Sequence, residues 1–317
     1  MVVFILPAMW FRIFLAAALC TTFTAPATAA EPEKSLAIID TGFDTNIPSI
    51  RAALRYEVCL LDWSACPNGT GFQEGSGSAH LPQSLARFTG ASHGTQMASI
   101  AVETNPQLKV VLIRLIAYSE RGQRLPVFDS TVVKALRWIS EHASEFNIGA
   151  VAMAQGHHGL LSQRDYCPKN PELEKVMTQL RQRDIPVFLP TGNAGDKSRI
   201  DWPACIPVAM AIGAINPEGS IAKYSNHDSA LNDFFAPGTA TALLPGGLRS
   251  SATGTSVATL IAASHWMRLS NTDPTLTTWQ ISQLIRESGP IVFDAQFKFG
   301  RKIDIEAALL QREKVAA

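Results

Sequence analysis

The sequence predicts an α/β protein of three layers, α/β/α, with a mostly parallel central sheet between two layers of helices. Two observations lead to this class. Short apolar runs typical of buried parallel strands recur along the chain. Between them lie segments whose apolar residues follow the i, i+4, i+7 spacing of one helix face. Strands that alternate with helices favour parallel crossover connections over hairpins.

Five apolar runs predict the strands. The first, SLAIID at residues 35–40, ends in a polar residue, as expected where a buried strand leaves the core. The others lie at 108–115, 148–154, 185–190 and 207–215. In open parallel sheets, sites form at the carboxyl ends of the strands, so the residues that follow these runs are candidates for function.

Five further segments predict the helices: 92–103, 129–143, 173–180, a stretch from Ser256, and one that Asp273 and Pro274 open and Gly289 ends. Asp129 and Ser130 are the expected cap of the second helix. Trp138 and Trp279 occupy apolar positions of two of these helices, so we expect both in the core.

The N-terminus has the pattern of a signal peptide over residues 1–30. Arg12 precedes the apolar run IFLAAALC, and the small residues before Ala30 predict cleavage after Ala29 or Ala30. The uncharged start favours Met9 as an alternative to Met1 as the first residue. No linker or repeat interrupts the rest, so residues 31–317 are predicted to form one domain, secreted or periplasmic.

Charge and hydropathy exclude some classes of partner. The 317 residues contain 27 Lys and Arg and 27 Asp and Glu, without a basic cluster. Nucleic-acid binding needs such a cluster, so we expect none. No run beyond the N-terminus is long enough to span a membrane, and we expect a monomer once the signal is removed.

Four cysteines remain after loss of Cys20 with the signal, and four cysteines allow three pairings. We favour the local pairs, Cys59 with Cys66 and Cys167 with Cys205, because each pair flanks one loop-like stretch that contains Pro or Gly. A zinc site is the alternative, but none of the four forms a CxxC pair.

Four short blocks place reactive side chains where strands end or helices begin. They are Asp40-Thr41-Gly42, Ser92-His93-Gly94, Gly192-Asn193 and Gly254-Thr255-Ser256. Taken singly, each polar residue has a simpler interpretation as a helix cap or a turn residue. Taken together, they predict that a carboxylate, an imidazole, an amide and a hydroxyl gather at one edge of the sheet.

The same blocks, with GTSVA at 254–258 and APG at 236–238, resemble the signature blocks of the subtilisin-like serine peptidases, in that family's order. The resemblance implies a triad in which Ser256 is the nucleophile, His93 the general base and Asp40 the group that orients the imidazole. It implies that the Asn193 side chain and the Ser256 N–H stabilise the oxyanion. It implies no cofactor.

The resemblance also implies a protein or peptide substrate bound as an extended strand. We expect that strand to pair with residues near 121–123 and with Ala154, Gln155 and Gly156, with Gly192 in the first pocket. The pocket residues identified in this way carry no carboxylate, which favours an apolar side chain before the scissile bond. The histidines of GHHG at 156–159 are interpreted as loop or pocket residues.

Several positions depart from the family pattern. Leu260 replaces a usual Pro, Gln96 a frequent His, and Ala154-Gln155-Gly156 the usual Ser-Leu-Gly. The stretch from Ala101 to Lys109 is short for the family's calcium-binding loop, so we expect no metal. Two alternatives to a hydrolase stay open: a pseudoprotease that only binds peptides, and a peptide ligase or cyclase that shares the acyl-enzyme.

Overall fold

The computed structural model describes residues 1–2, 33–156, 167–293 and 299–316. Contacts group Pro32–Ala317 into one compact unit. The predicted signal peptide, apart from Met1 and Val2, lies outside the described residues, as do His157 and His158.

Within the described residues, the central sheet has eight strands: β1 (Ser35–Asp40), β2 (Leu54–Leu60), β3 (Phe72–Glu74), β4 (Lys109–Arg114), β5 (Ile148–Met153), β6 (Val187–Pro190), β7 (Met210–Ile215) and β8 (Phe234–Pro237). Their order is β3-β2-β4-β1-β5-β6-β7-β8. The edge strand β3 runs antiparallel to β2, and the other neighbouring pairs are parallel.

Seven helices accompany the sheet in the described part of the chain: α1 (Pro48–Ala53), α2 (His93–Thr104), α3 (Asp129–His142), α4 (Pro171–Gln182), α5 (Thr255–Thr272), α6 (Thr278–Ser288) and α7 (Ile305–Ala316). Two hairpins complete it, β9 (Thr239–Leu243) with β10 (Arg249–Thr253) and β11 (Ile291–Phe293) with β12 (Phe299–Arg301).

The alternation of side chains along β1 shows why the sheet is covered on both faces. Leu36 and Ile38 belong to the core that contains α2 and α5, whereas Ala37 and Ile39 belong to the core that contains α3 and α4. Successive side chains of a strand point to opposite faces, so a strand that is apolar at every position needs a helix layer on each side. The predicted three-layer α/β/α class is confirmed.

Helix α5, which carries Ser256, is largely buried. Its Trp266 is 1% exposed and meets Phe188 of β6 edge to face at 5.4 Å. Thirteen of its 18 residues are buried, from Thr255 at its first turn to Ser270 near its end. The helix is therefore enclosed by other elements along most of its length.

The helix predicted from Asp273 is wrong at its start. The structure begins α6 at Thr278, because Thr277 and Gln280 form a reciprocal capping box. The Asp273 carboxylate instead accepts hydrogen bonds from the backbone and hydroxyl of Thr275. Trp279, expected in the core, is 67% exposed.

The opposite outcomes for the two tryptophans have a geometric reason. The buried face of α6 contains Ile281, Leu284 and Ile285. Trp279 precedes Ile281 by two positions, which places it about 200° round the helix. Trp138 of α3 is 6% exposed, as expected.

The start of α3 also differs from the prediction. The cap position is Phe128, and Asp129 is the first helical residue. Asp62, which follows β2, accepts from the Phe128 N–H and from the Thr131 hydroxyl. The start of α3 is therefore capped by Asp62, a carboxylate distant in sequence, and not by Asp129 and Ser130.

The two disulfides join the predicted local pairs. Cys59 and Cys66 close a short loop after β2, and Cys167 and Cys205 join the segment before α4 to the loop before β7. No helix in the described ranges has both the length and the apolar character needed to cross a bilayer.

We predict that the second disulfide contributes more stability than the first, because it closes a span of 38 residues against 7. Loop-closure entropy gives about 4 kcal/mol for Cys167–Cys205 and about 2 kcal/mol for Cys59–Cys66. Urea unfolding of the two double Cys→Ala variants measures which disulfide contributes more to the free energy of unfolding.

We also predict that alkylation of the unreduced, denatured protein without its signal labels no cysteine. Four labelled cysteines would contradict the pairing.

Candidate active site

Three of the four blocks singled out in the sequence line one cleft of about 200 Å³ at the carboxyl edge of the sheet, and Asp40 of the fourth block contacts His93 of the cleft. Asp40 is the last residue of β1, and Asn193 lies three positions after β6. His93 is the first residue of α2, and Ser256 is the second residue of α5. The residues that line the cleft are Gly90, His93, Tyr118, Ala154, Gln155, Gly156, Pro190, Gly192, Asn193, Asp201, Thr255 and Ser256.

Asp40 and His93 form a close pair. The Nδ1 of His93 lies 2.8 Å from Oδ1 and 2.9 Å from Oδ2 of Asp40. The Asp40 side chain is fully buried, whereas 26% of the His93 side chain is exposed. The Thr41 N–H also donates to Oδ1, at 2.7 Å. With an ionised carboxylate on one side, Nδ1 carries the proton, which leaves Nε2 as the basic nitrogen of the ring.

The pKa of His93 lies above the ordinary value for histidine. Burial alone lowers this pKa, because it disfavours the charged ring. The negative charge of Asp40 and its hydrogen bond to Nδ1 outweigh burial and raise the pKa, although the cation of Arg124 opposes them. The geometry is that of an imidazole prepared to take up a proton.

Gln155 adds a second side-chain donor to this pair. Its Nε2 donates to Oδ1 of Asp40 at 3.2 Å and lies 3.0 Å from Nδ1 of His93. Because Nδ1 carries a proton and donates it to Asp40, both nitrogens are donors, and the contact between them is not a hydrogen bond. The amide therefore shares the Asp40 oxygen with the imidazole and places its positive end beside a ring that becomes cationic.

Asn193 is oriented by its oxygen. Its Oδ1 accepts from the Thr255 N–H at 2.9 Å and from the Thr255 hydroxyl at 3.0 Å. The amide of Asn193 is therefore anchored through its oxygen, and its donor nitrogen Nδ2 is the other end of the group. Asn193 lines the cleft. Thr255 Oγ1 also accepts from the Gly192 N–H at 3.2 Å, so one buried threonine holds both residues of the Gly-Asn block.

Ser256 lies in the first turn of α5, where backbone N–H groups have no partner within the helix. Its hydroxyl donates to the Ala154 carbonyl at 2.9 Å. The hydroxyl proton is therefore directed at the residue after β5 and not at His93. Neither His93 nor Ser256 is a helix cap; the cap positions are Ser92 and Gly254.

The pairing of a substrate strand with residues 121–123 stays a prediction. Residues 121–123 form the tip of a turn, in which the Ser119 N–H donates to the Gln123 carbonyl. The residues that follow, 124–127, instead line a groove of about 370 Å³ together with Gln155 and Gly156. The groove is continuous with the cleft through those two residues.

Three lining residues were missed in the sequence: Gly90, Tyr118 and Asp201. Thr255 was considered only as a cap, and no local motif surrounds Asp201. The pocket residues named from the sequence carry no carboxylate, but Asp201 adds one to the cleft that they line.

A cleft with a hydroxyl and an imidazole, the imidazole paired with a buried carboxylate, contains the groups that serine hydrolases use. A profile described as the subtilase family matches residues 33–300. The chain belongs to the subtilase family of serine peptidases.

Among curated proteins, the chain is 26% identical to subtilisin of Bacillus pumilus over 282 residues, which cover 86% of this chain and 90% of that protein. It is 26% identical to subtilisin E of Bacillus subtilis (strain 168) over 282 residues, 86% of this chain and 65% of that protein.

Solved structures share the fold at lower identity. A cold adapted subtilisin-like serine proteinase matches with a TM-score of 0.64 and 19% identity, over 85% of this chain and 88% of that one. The patellamide maturation protease PatA matches with a TM-score of 0.64 and 19% identity, over 88% and 97%.

We predict that Gln155→Met raises the pKa of His93, because it removes a competing donor from Asp40 and a positive dipole from the ring at similar side-chain size. Asp40→Asn should lower the same pKa, since the stabilising charge is lost. NMR titration of the His93 ring measures both without depending on activity. Gln96→Met, in α2, is the matched control and should leave the titration unchanged; a lower pKa in Gln155→Met would contradict the assignment.

Proposed function

We propose that the chain is a serine endopeptidase, secreted or periplasmic, that hydrolyses peptide bonds through an acyl-enzyme. One observation carries the proposal: His93, Asn193 and Ser256 come from distant segments and line one cleft, and Asp40, from a fourth segment, pairs with His93. Any one of these residues has a simple structural interpretation, but their convergence has none.

The attack begins with a change of partner for Ser256. In the structure without substrate its hydroxyl donates to the Ala154 carbonyl. A substrate strand that pairs with Ala154–Gly156 offers its own N–H to that carbonyl and releases the hydroxyl. Ser256 Oγ then gives its proton to Nε2 of His93 as it bonds to the substrate carbonyl carbon. Asp40 stabilises the imidazolium that forms.

The negative charge on the substrate oxygen is met by donors that are already in place. Asn193 Nδ2 donates from one side, because Thr255 holds the other end of that amide. The Ser256 N–H donates from the first turn of α5, at the positive end of the helix dipole. Donors fixed before the reaction cost no reorganisation during it.

The intermediate collapses when the carbon–nitrogen bond breaks and His93 gives its proton to the leaving amine. The acyl group remains on Ser256 Oγ. A water molecule then loses a proton to His93 and attacks the ester, and the second intermediate releases the acid and restores the hydroxyl. If an amine attacks in place of water, the same steps yield a new peptide bond.

A binding role without catalysis is the second candidate, and the Ser256–Ala154 hydrogen bond favours it, because that bond withholds the nucleophile from the base. The two candidates differ in one property. A peptidase has an activated serine even with a small reagent in the cleft, whereas a pseudoprotease has an ordinary hydroxyl.

We predict that a fluorophosphonate probe labels the parent protein at Ser256 and that Ser256→Ala abolishes both labelling and hydrolysis. His93→Ala should do the same, each with a loss of about a million-fold in kcat. Intact-mass and peptide mapping locate the label. Ser264→Ala, a buried serine of the same helix, is the matched control and should keep the label. An unlabelled but folded parent would favour the pseudoprotease.

We predict that Asn193→Ala lowers kcat by about 100- to 1,000-fold with little change in KM, because one oxyanion donor acts only in the transition state. Asn193 is exposed, so circular dichroism should change little, and the unfolding temperature should fall modestly because Thr255 loses the acceptor for its N–H and hydroxyl. A variant that unfolds, or one whose loss lies wholly in KM, would assign Asn193 a structural or substrate-binding role.

A further inference from the structure

The cleft wall contains a carboxylate that the steps described above do not use. Asp201 lies between two glycines of the cleft, Gly156 and Gly192. Its Cβ is 3.7 Å from the point that a Cβ on Gly156 would occupy, and its Cγ is 2.3 Å from the corresponding point at Gly192. A side chain on Gly192 would collide with the carboxylate, so the two residues define one wall together.

Asp201 is held firmly where it is. Its N–H donates to the Thr191 carbonyl at 2.7 Å, and its Oδ1 accepts from Nδ2 of Asn226 at 2.8 Å. Asn226 is fully buried, and its own oxygen accepts from the N–H groups of Ala194 and Asp196. The carboxylate is thus fixed to the same loop that carries Asn193.

Asp201 supplies a negative charge to this wall of the cleft. Among the cleft-lining residues in the described part of the chain, Asp201 alone carries a carboxylate, and none is a lysine or an arginine. Asp201 is 8% exposed, so its charge acts through little intervening water and attracts a cation more strongly than a surface carboxylate does. Because Gly156 and Gly192 have no side chains, neither residue covers the carboxylate.

This wall of the cleft lies beside the expected path of the substrate strand. Gly156 belongs to the expected substrate-pairing strand, and Gly192 precedes the oxyanion asparagine. A residue whose carbonyl is between Ser256 and Asn193 therefore directs its side chain between these two glycines. Asp201 is at that place, nine-tenths buried, with a polar end.

We propose that Asp201 is the specificity-determining residue of the cleft and that it selects lysine or arginine immediately before the scissile bond. The inference rests on the proposed peptidase function, and it replaces the apolar preference favoured by the sequence alone. The aliphatic part of the substrate side chain packs against Gly156 and Gly192, and its charged end pairs with the Asp201 carboxylate.

The test uses three fluorogenic peptides that differ only in the residue before the cleaved bond: arginine, citrulline or leucine. Citrulline has nearly the shape of arginine without its charge. The parent protein should cleave the arginine peptide at least about 30-fold faster in kcat/KM than the citrulline peptide, the loss expected when one partner of a buried charge pair is removed. Equal or higher rates with citrulline or leucine would overturn the proposal.

Asp201→Asn provides the second arm, because asparagine keeps the acceptor for Asn226 and removes the charge. It should lower kcat/KM for the arginine peptide about 30-fold or more and leave the leucine peptide within about threefold. Asp129→Asn, in the neighbouring groove, is the matched control and should preserve the arginine-to-citrulline ratio. A loss shared equally by all peptides would show that Asp201 only supports the loop through Asn226.

Failure of the peptidase function would be recognised separately, as absence of hydrolysis and of fluorophosphonate label. In that case the Kd values of Ser256→Ala for the arginine and citrulline peptides are compared by calorimetry. Tighter binding of arginine supports the role of Asp201 in recognition, and equal Kd values overturn it.

Discussion

The enclosure of α5 is the constraint on which the other features of the site depend. This helix packs between the sheet and its neighbouring helices, with Trp266 against Phe188 of β6. Because most of its residues are buried, it cannot rotate or slide without exposing core surface to water. Its first turn is therefore fixed against the carboxyl edge of the sheet. That turn supplies Thr255 and Ser256, so burial remote from the cleft sets the position of the nucleophile.

A buried charge imposes the second constraint. Asp40 is fully buried at the end of β1, and an ionised carboxylate there requires donors. The Thr41 N–H, the His93 ring and the Gln155 amide supply them. The interaction that stabilises the fold at this point is thus the one that raises the pKa of His93. Gln155 weakens this effect on the pKa, because its amide competes with the His93 ring for the same Asp40 oxygen.

Local patterns in the sequence were sufficient to predict the first strand, the cysteine pairs and the main residues of the site. The first run, 35–40, was predicted to the residue, because a buried parallel strand has consecutive apolar residues, here 36–39, that can be recognised without knowledge of its partner strands. The cysteine pairs followed from proximity along the chain, and the convergence of Asp40, His93, Asn193 and Ser256 followed from motif order. Each of these properties is determined within a few residues, or by the rule that parallel strands share one functional edge.

Other features depended on contacts between distant segments. Asp201 has no motif around it and enters the cleft only because Thr191 and Asn226 hold its loop there. Gln155 was expected to bind substrate, but it reaches Asp40 because β5 lies beside β1 in the sheet. Trp279 has an apolar side chain at a position that faces away from the core. Sequence determines which residues prefer burial or carry charge; only packing decides which of them share a surface, because side-chain contacts across the sheet are set by strand order and not by distance along the chain.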